Sequence, residues 1–189
     1  MDARYDLRQA LSEKADEILV RLTPAERETL LVKCWMSHDA RWYMAVAAEC
    51  GLQVANRLNR IAAHEVGKAE ARRIARALRL PPVTDVDECL LAQETLIGLL
   101  GPDLLEYDLA KVGDDAFALS VQRCFAYDNA SRAGVTSGFG CGIFARMTGW
   151  LAALGLTYEL TPSTDECLKA RGRECIHTVT VEPVTSPAP

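Results

Sequence analysis

Apolar residues recur at helical steps through the first hundred positions and then switch to alternation, so the chain reads as a helical front and a mixed back. Over residues 4–20, Leu7, Leu11, Ile18 and Leu19 stand among charged residues at helical spacing, predicting an amphipathic first helix that is either a dimer arm or simply packed. Thr23-Pro24-Ala25-Glu26 is a capping box with proline at the first helical position, and it starts a helix running to about Glu49. Along it Leu31, Cys34, Trp35, His38, Trp42 and Ala45 form a stripe. Cys50-Gly51 ends or bends that helix, a second continues from Leu52 to Leu80, and Pro81-Pro82 stop it. Asp85 or Asp87 caps a third, carrying Leu90, Leu91, Leu96, Ile97 and Leu99 up to Gly101-Pro102.

Beyond residue 103 the period changes. Residues 104–109 predict a short strand, Gly113-Asp114-Asp115 a turn, and the alternation of Phe117, Leu119 and Val121 up to Cys124 and Phe125 a second strand of a hairpin. Residues 128–140, rich in glycine and serine, predict a loop. Ile143, Met147, Trp150, Leu151 and Leu154 predict a helix over 143–154 stopped by Gly155, and 156–160 and 175–181 read as strands. The expectation is an α+β fold: a helical region over 1–103 packed on a small mixed α/β domain with an antiparallel sheet over 104–183, and a loose tail at 184–189.

Composition narrows the class. With 189 residues, 49% hydrophobic and 25% charged, the chain has enough apolar material for a substantial core. The N-terminus carries no apolar signal core and no run reaches membrane-spanning length, so the expected place is the cytoplasm with no membrane partner. A net charge of −5 argues against nucleic acid as a direct partner. Seven cysteines without an export signal point to free or metal-bound thiols rather than a disulfide framework.

The candidate chemistry falls in two places. In the helical front, His38 lies on the stripe between Trp35 and Trp42 with Asp39 beside it, and Asn56 and Asn59 stand one turn apart on the next helix. If the two helices run antiparallel, these six residues frame a ligand pocket; a core histidine with a satisfied ring, and asparagines in capping or surface roles, explain them equally. The basic row Arg57, Arg60, His64, Lys68, Arg72, Arg76 and Arg79 reads as a solvated face. Gly138, Gly140 and Gly142 lack both the dinucleotide fingerprint and the P-loop lysine and read as permissive backbone beside a site.

In the back half, Cys141 stands at a predicted helix start, Cys167 in a loop and Cys175 at the start of a strand. A helix N-terminus favours a thiolate, and a hairpin from Cys167 to Cys175 can return two more sulfurs to one point, an arrangement that suits zinc. For Cys34, Cys50 and Cys89 the favoured reading is a small buried hydrophobe.

The spacing of twenty-six residues from Cys141 to Cys167 and eight more to Cys175, followed by a basic-glycine turn and a strand, resembles the vinyl-4-reductase-type domain, over roughly residues 104–182. That domain also forms the sensor of aromatic-responsive bacterial activators. The resemblance implies structural zinc on Cys141, Cys167 and Cys175 beside a small-molecule pocket, and a homodimer. That family often places a carboxylate ligand three residues before the second cysteine, where this chain has Thr164. The fourth ligand is therefore open among Glu166, Asp165, Cys124 and His177, with one of the two adjacent carboxylates, Glu166 or Asp165, requiring the least rearrangement. The helical half, with Trp35-Met36-Ser37-His38-Asp39-Ala40-Arg41-Trp42, resembles an uncharacterised bacterial and archaeal family related to L-2-amino-thiazoline-4-carboxylate hydrolase-type proteins. Two functions follow as expectations. The first is a zinc-stapled binding or sensor protein for a small hydrophobic or aromatic ligand. The second is a hydrolase of a small cyclic or amide-like substrate, using Cys141 or a water activated by His38 and Asp39.

Overall fold

The computed structural model describes residues 3–100 and 104–182, with side chains from residue 7 to 99 and from 104 to 182. The order of elements is α1 (Ala3–Leu19), α2 (Pro24–Cys50), α3 (Leu52–Leu78), α4 (Val86–Leu100), β1 (Leu105–Lys111), β2 (Ala116–Cys124), α5 (Phe125–Arg132), α6 (Gly142–Ala153), β3 (Thr157–Thr161), a 3₁₀ turn (Lys169–Arg171) and β4 (Ile176–Glu182). Helices followed by one antiparallel four-stranded sheet make an α+β fold, as the change of period predicts. The compact units divide within α2, at 1–41 and 42–189, while the change from helix to strand comes after α4. Gly101-Pro102 and the tail at 184–189 lie outside the described residues. Among the described residues no helix is long and apolar enough to cross a membrane.

In the first unit the start of α2 is fixed as the sequence predicts. The Glu26 carboxylate accepts from the Thr23 backbone N–H at 2.8 Å, and the Glu26 N–H donates to the Thr23 hydroxyl at 3.2 Å. α2 buries no residue along its length, and Leu7, Leu11, Ile18, Leu30 and Leu31 of α1 and α2 are all exposed.

The second unit holds the core. The sheet order is β1-β2-β4-β3, every pair antiparallel. Phe117, Leu119 and Val121 of β2 and His177, Val179 and Val181 of β4 are buried, with less buried or exposed neighbours between them, so one face of the sheet meets the helices. Against it pack Ala71 and Ile74 of α3, Leu96 and Ile97 of α4, and Phe144, Met147 and Trp150 of α6. Asp85 and Thr84 cap α4: the Glu88 N–H donates to Asp85 at 2.9 Å and the Glu88 carboxylate accepts from Thr84 at 2.7 Å.

α3 and α6 approach so closely that glycine is required at the contact. A Cβ on Gly67 would run into the Arg146 carbonyl oxygen, and one on Gly149 into the His64 carbonyl oxygen. The contact is closed by a buried charge pair: Arg146 Nε and Nη2 donate to the two Glu70 oxygens at 2.7 and 2.5 Å, and the Trp150 indole N–H donates to the same carboxylate at 3.2 Å.

Two local differences from the sequence expectation bear on the site. Residues 128–132, predicted as loop, complete α5, whose short polar turn after Cys124 lacks the apolar period of a longer helix. β2 also carries a bulge. Tyr107 pairs with Val121 and Glu106 with Arg123, leaving Gln122 as the surplus residue. Gln122 and Arg123 are exposed, and Cys124 returns to the buried face.

Candidate functional site

Four cysteines of the second unit, Cys124, Cys141, Cys167 and Cys175, stand at element ends or in tied loops. Cys124 closes β2 and is the N-cap of α5; Cys141 is the N-cap of α6. Cys167 immediately precedes the helical turn at 168–171, and its N–H donates to the Phe139 carbonyl at 2.9 Å, while the Cys141 N–H donates to Thr164 at 3.2 Å. These two bonds tie the segment 139–141 to the segment 164–167. Cys175 is joined to β2 through its carbonyl, which accepts from the Val121 N–H at 2.8 Å. Cys124 and Cys141 belong to the main core with Cys175 packed against it, and Cys167 shares a smaller cluster with Ala126 and Tyr127, just beyond Cys124.

All seven cysteines are free thiols. Burial pushes Cys141 up to about 12 and Cys175 up to about 11, and raises Cys124; charge on the neighbouring sulfurs adds to this. Cys141 senses Cys167, Cys124 and Cys175, Cys175 senses Cys167 and Cys124, and Cys124 senses Cys167, so every pair among the four interacts. The backbone N–H groups of Tyr127 and Ala126 near Cys124, and of Phe144 near Cys141, act in the opposite direction, although neither N-cap sulfur makes a side-chain cap hydrogen bond. Burial of Cys141 thus works against the thiolate form that a nucleophilic cysteine needs. Among the described residues no three His, Cys, Asp or Glu side chains stand in an arrangement that would hold a metal ion, so binding one requires the thiols to turn toward it.

The other predicted ligands each have a partner of their own. Glu166 is exposed and pairs with Arg171; Asp165 is exposed and meets Arg60 at 3.4 Å. His177 is buried, which lowers its pKa, and its Nδ1 lies 3.0 Å from the Pro162 carbonyl while its ring stacks on Phe144 with centroids 3.7 Å apart.

Asn56, expected in a pocket floor, is instead a latch on the loop that carries Cys141. Its Nδ2 donates to the Gly138 carbonyl, and its Oδ1 accepts from the Gly140 N–H at 3.0 Å and the Tyr43 hydroxyl at 2.8 Å. Asn59 stands beside Gly142, where its amide would meet an added Cβ. Trp35, His38 and Asp39 belong to the first unit and are exposed; Trp42, at 65% exposed, begins the second.

An apolar cavity of about 40 Å³ lies in the second unit, lined by Ile97, Leu104, Leu105, Phe125, Ile143, Arg146, Met147 and Trp150. Phe125 directly follows Cys124 and Ile143 is two residues past Cys141, so two cysteines sit at the roots of the cavity walls. On α4, one turn before Ile97, Gln93 is 0% exposed, and neither its amide oxygen nor its nitrogen has a hydrogen-bond partner. Gln93 opens the polar run Gln93-Glu94-Thr95 of α4, which by sequence alone reads as a surface segment.

No curated protein matches the chain. A family model does match, over residues 25–143, which runs from the start of α2 to the start of α6 and takes in Cys124 and Cys141. That span is more than half of the sequence, and the chain belongs to the family of unknown function DUF6125.

Proposed function

We propose that the chain binds a small hydrophobic or aromatic molecule bearing one hydrogen-bonding group, in the cavity between α4, β1, α5 and α6, and that a zinc ion held by Cys141, Cys167 and Cys175 braces the walls. The observation that carries this reading is Gln93. A fully buried amide with both polar atoms unpaired costs roughly 1–3 kcal/mol per group, and Gln93 stands one turn before Ile97 of the cavity wall. A ligand polar group that reaches Gln93 would supply the missing bond.

The cavity at about 40 Å³ is smaller than the roughly 150 Å³ that admits benzene, so entry widens it. Met147, an unbranched and adaptable side chain on its wall, is the residue we expect to give way. Zinc suits thiol donors, since buried thiols ionise when a metal binds. The exposed leucines of α1 and α2 favour a homodimer, which sedimentation equilibrium of the whole chain would report as twice the 20.7 kDa chain mass.

The test is a pair of measurements on Gln93→Leu. Removing an unpaired buried amide raises the melting temperature of the ligand-free protein, while affinity for phenol, followed by Trp150 fluorescence in a Trp35→Phe, Trp42→Phe background, falls about tenfold or more. A variant that is less stable than the parent, or one that binds phenol equally well, would contradict the role given to Gln93. A folded parent with no saturable response to phenol, toluene or indole would remove the binding function itself.

A further inference from the structure

We infer that α2 is a dimerisation helix, whose seam of Leu31, Trp35, His38 and Trp42 pairs antiparallel with the same seam of a second copy of this chain. The inference rests on the homodimer proposed above and gives it a surface and a direction.

The first unit, Met1–Arg41, has no core of its own. From residue 7 to residue 41 no side chain is buried, and α2 buries none along its 27 residues. Single exposed leucines are ordinary, but a whole unit without a buried side chain is not. Helices draw most of their stability from packing an amphipathic face, so one this long with its face bare calls for a partner. A body below about 40 residues is usually stabilised by a disulfide, a metal or oligomerisation. The unit holds one cysteine, Cys34, and one histidine, His38, too few for an internal disulfide or a Cys/His zinc cluster. Oligomerisation is the route that is left.

The spacing of the bare face says what fits it. Leu31, Trp35, His38, Trp42 and Ala45 follow one another at steps of four, three, four and three, the narrow seam of a coiled coil rather than the broader stripe of a helix laid on a core. Leu31 and Trp42 are 64% and 65% exposed. Laid antiparallel about the point between Met36 and Ser37, two such helices set Leu31 against Trp42 and Trp35 against His38 of the second copy. Every seam residue is then covered by another member of the same seam, and each tryptophan meets a smaller side chain. Asp39 comes beside Val32 and Arg41 beside Cys34, so no like charges meet at these flanks, whereas a parallel pair would press His38 on His38. The pairing closes on a two-fold axis, the commonest symmetry of homo-oligomers. The apolar side chains exposed from Leu7 to Trp42 offer on the order of 1,000 Å² per chain, against the roughly 800 Å² per partner that a stable complex buries.

Sedimentation equilibrium of the full chain tests the surface. The parent should show twice the 20.7 kDa chain mass. Leu31→Glu and Trp42→Glu should each raise the dimer dissociation constant about 30-fold or more, the loss of an interface hot spot, while Leu30→Glu, on the same helix but off the seam, leaves it unchanged. Cross-linking tests the direction. In a Cys34→Ser, Cys50→Ser background, Leu31→Cys combined with Trp42→Cys should oxidise to a covalent dimer. Neither substitution alone should do so, because like positions lie about 16 Å apart along an antiparallel pair. A covalent dimer from Leu31→Cys alone overturns the antiparallel pairing. A dimer that survives both glutamate substitutions overturns the seam and leaves the homodimer standing. Should the glutamate variants fail to fold, the cross-linking decides. A monomeric parent overturns seam and homodimer together and leaves the phenol titration to judge the binding function separately.

Discussion

Glu70 shows what a single side chain does for the second unit. Its carboxylate accepts from Arg146 twice and from the Trp150 indole, with Glu70 and Arg146 only 10% and 14% exposed. Such a pair contributes little when compared with a hydrophobic substitute, yet breaking it strands a buried charge. Glu70→Ala should therefore lower the unfolding free energy by about 3–5 kcal/mol in urea titration, a loss too large for a surface carboxylate. Asn56 acts through the loop it latches rather than through a ligand. On the zinc site proposed above, Asn56→Ala should weaken zinc binding about 10–100-fold in a competition titration against a chelator, although no donor atom is lost. Cys89 is the inert counterpart of those four thiols: it is fully buried and its pKa is pushed up to about 12 by burial. In the native protein iodoacetamide should modify the exposed Cys34 and Cys50 first and Cys89 only on unfolding, as peptide mapping would show.

At the level of elements, the α3 and α6 contact sets the tightest tolerance. Replacing Gly149 by alanine gains up to about 1 kcal/mol of helix propensity, but the new methyl meets a backbone carbonyl that cannot rotate away. Overpacking of this kind costs about 1–3 kcal/mol, so the clash wins and the melting temperature of Gly149→Ala should fall. The ends of α2 and α3 and the start of α4 were legible because local chemistry fixes them: the Thr23–Glu26 capping box, an aspartate cap at Asp85, a glycine and a pair of prolines. α5 was not, since eight residues with Tyr127, Asp128, Asn129 and Ser131 in their middle owe their helicity to packing more than to propensity. The spacing of Cys141, Cys167 and Cys175 was readable in the sequence. Cys124 was readable only as one of several candidate ligands; the face it takes was not, because that depends on pairing between strands.

For the molecule as a whole, the metal reading links stability to binding. Phe125 and Ile143 line the cavity from the first turns of helices that begin at Cys124 and Cys141, so a zinc ion held in part by Cys141, as proposed, would brace the wall at Ile143. Chelation should lower the melting temperature and weaken phenol binding in parallel, and restored zinc should recover both. The predicted pocket around Trp35, His38 and Asp39 involves the other unit, and helical spacing alone gave no sign of the division within α2. The bulge in β2 has a consequence for the evolution of such a site. A strand is a two-letter code in which odd and even positions are sorted to opposite sides, and one surplus residue rewrites the parity of everything after it. In β2 that rewriting falls almost at the end of the strand, where it leaves Phe117, Leu119 and Val121 in place and changes the side assigned to Cys124. A single inserted position can thus recruit a sulfur from the outer face of a sheet without disturbing the core that the sheet was already built on.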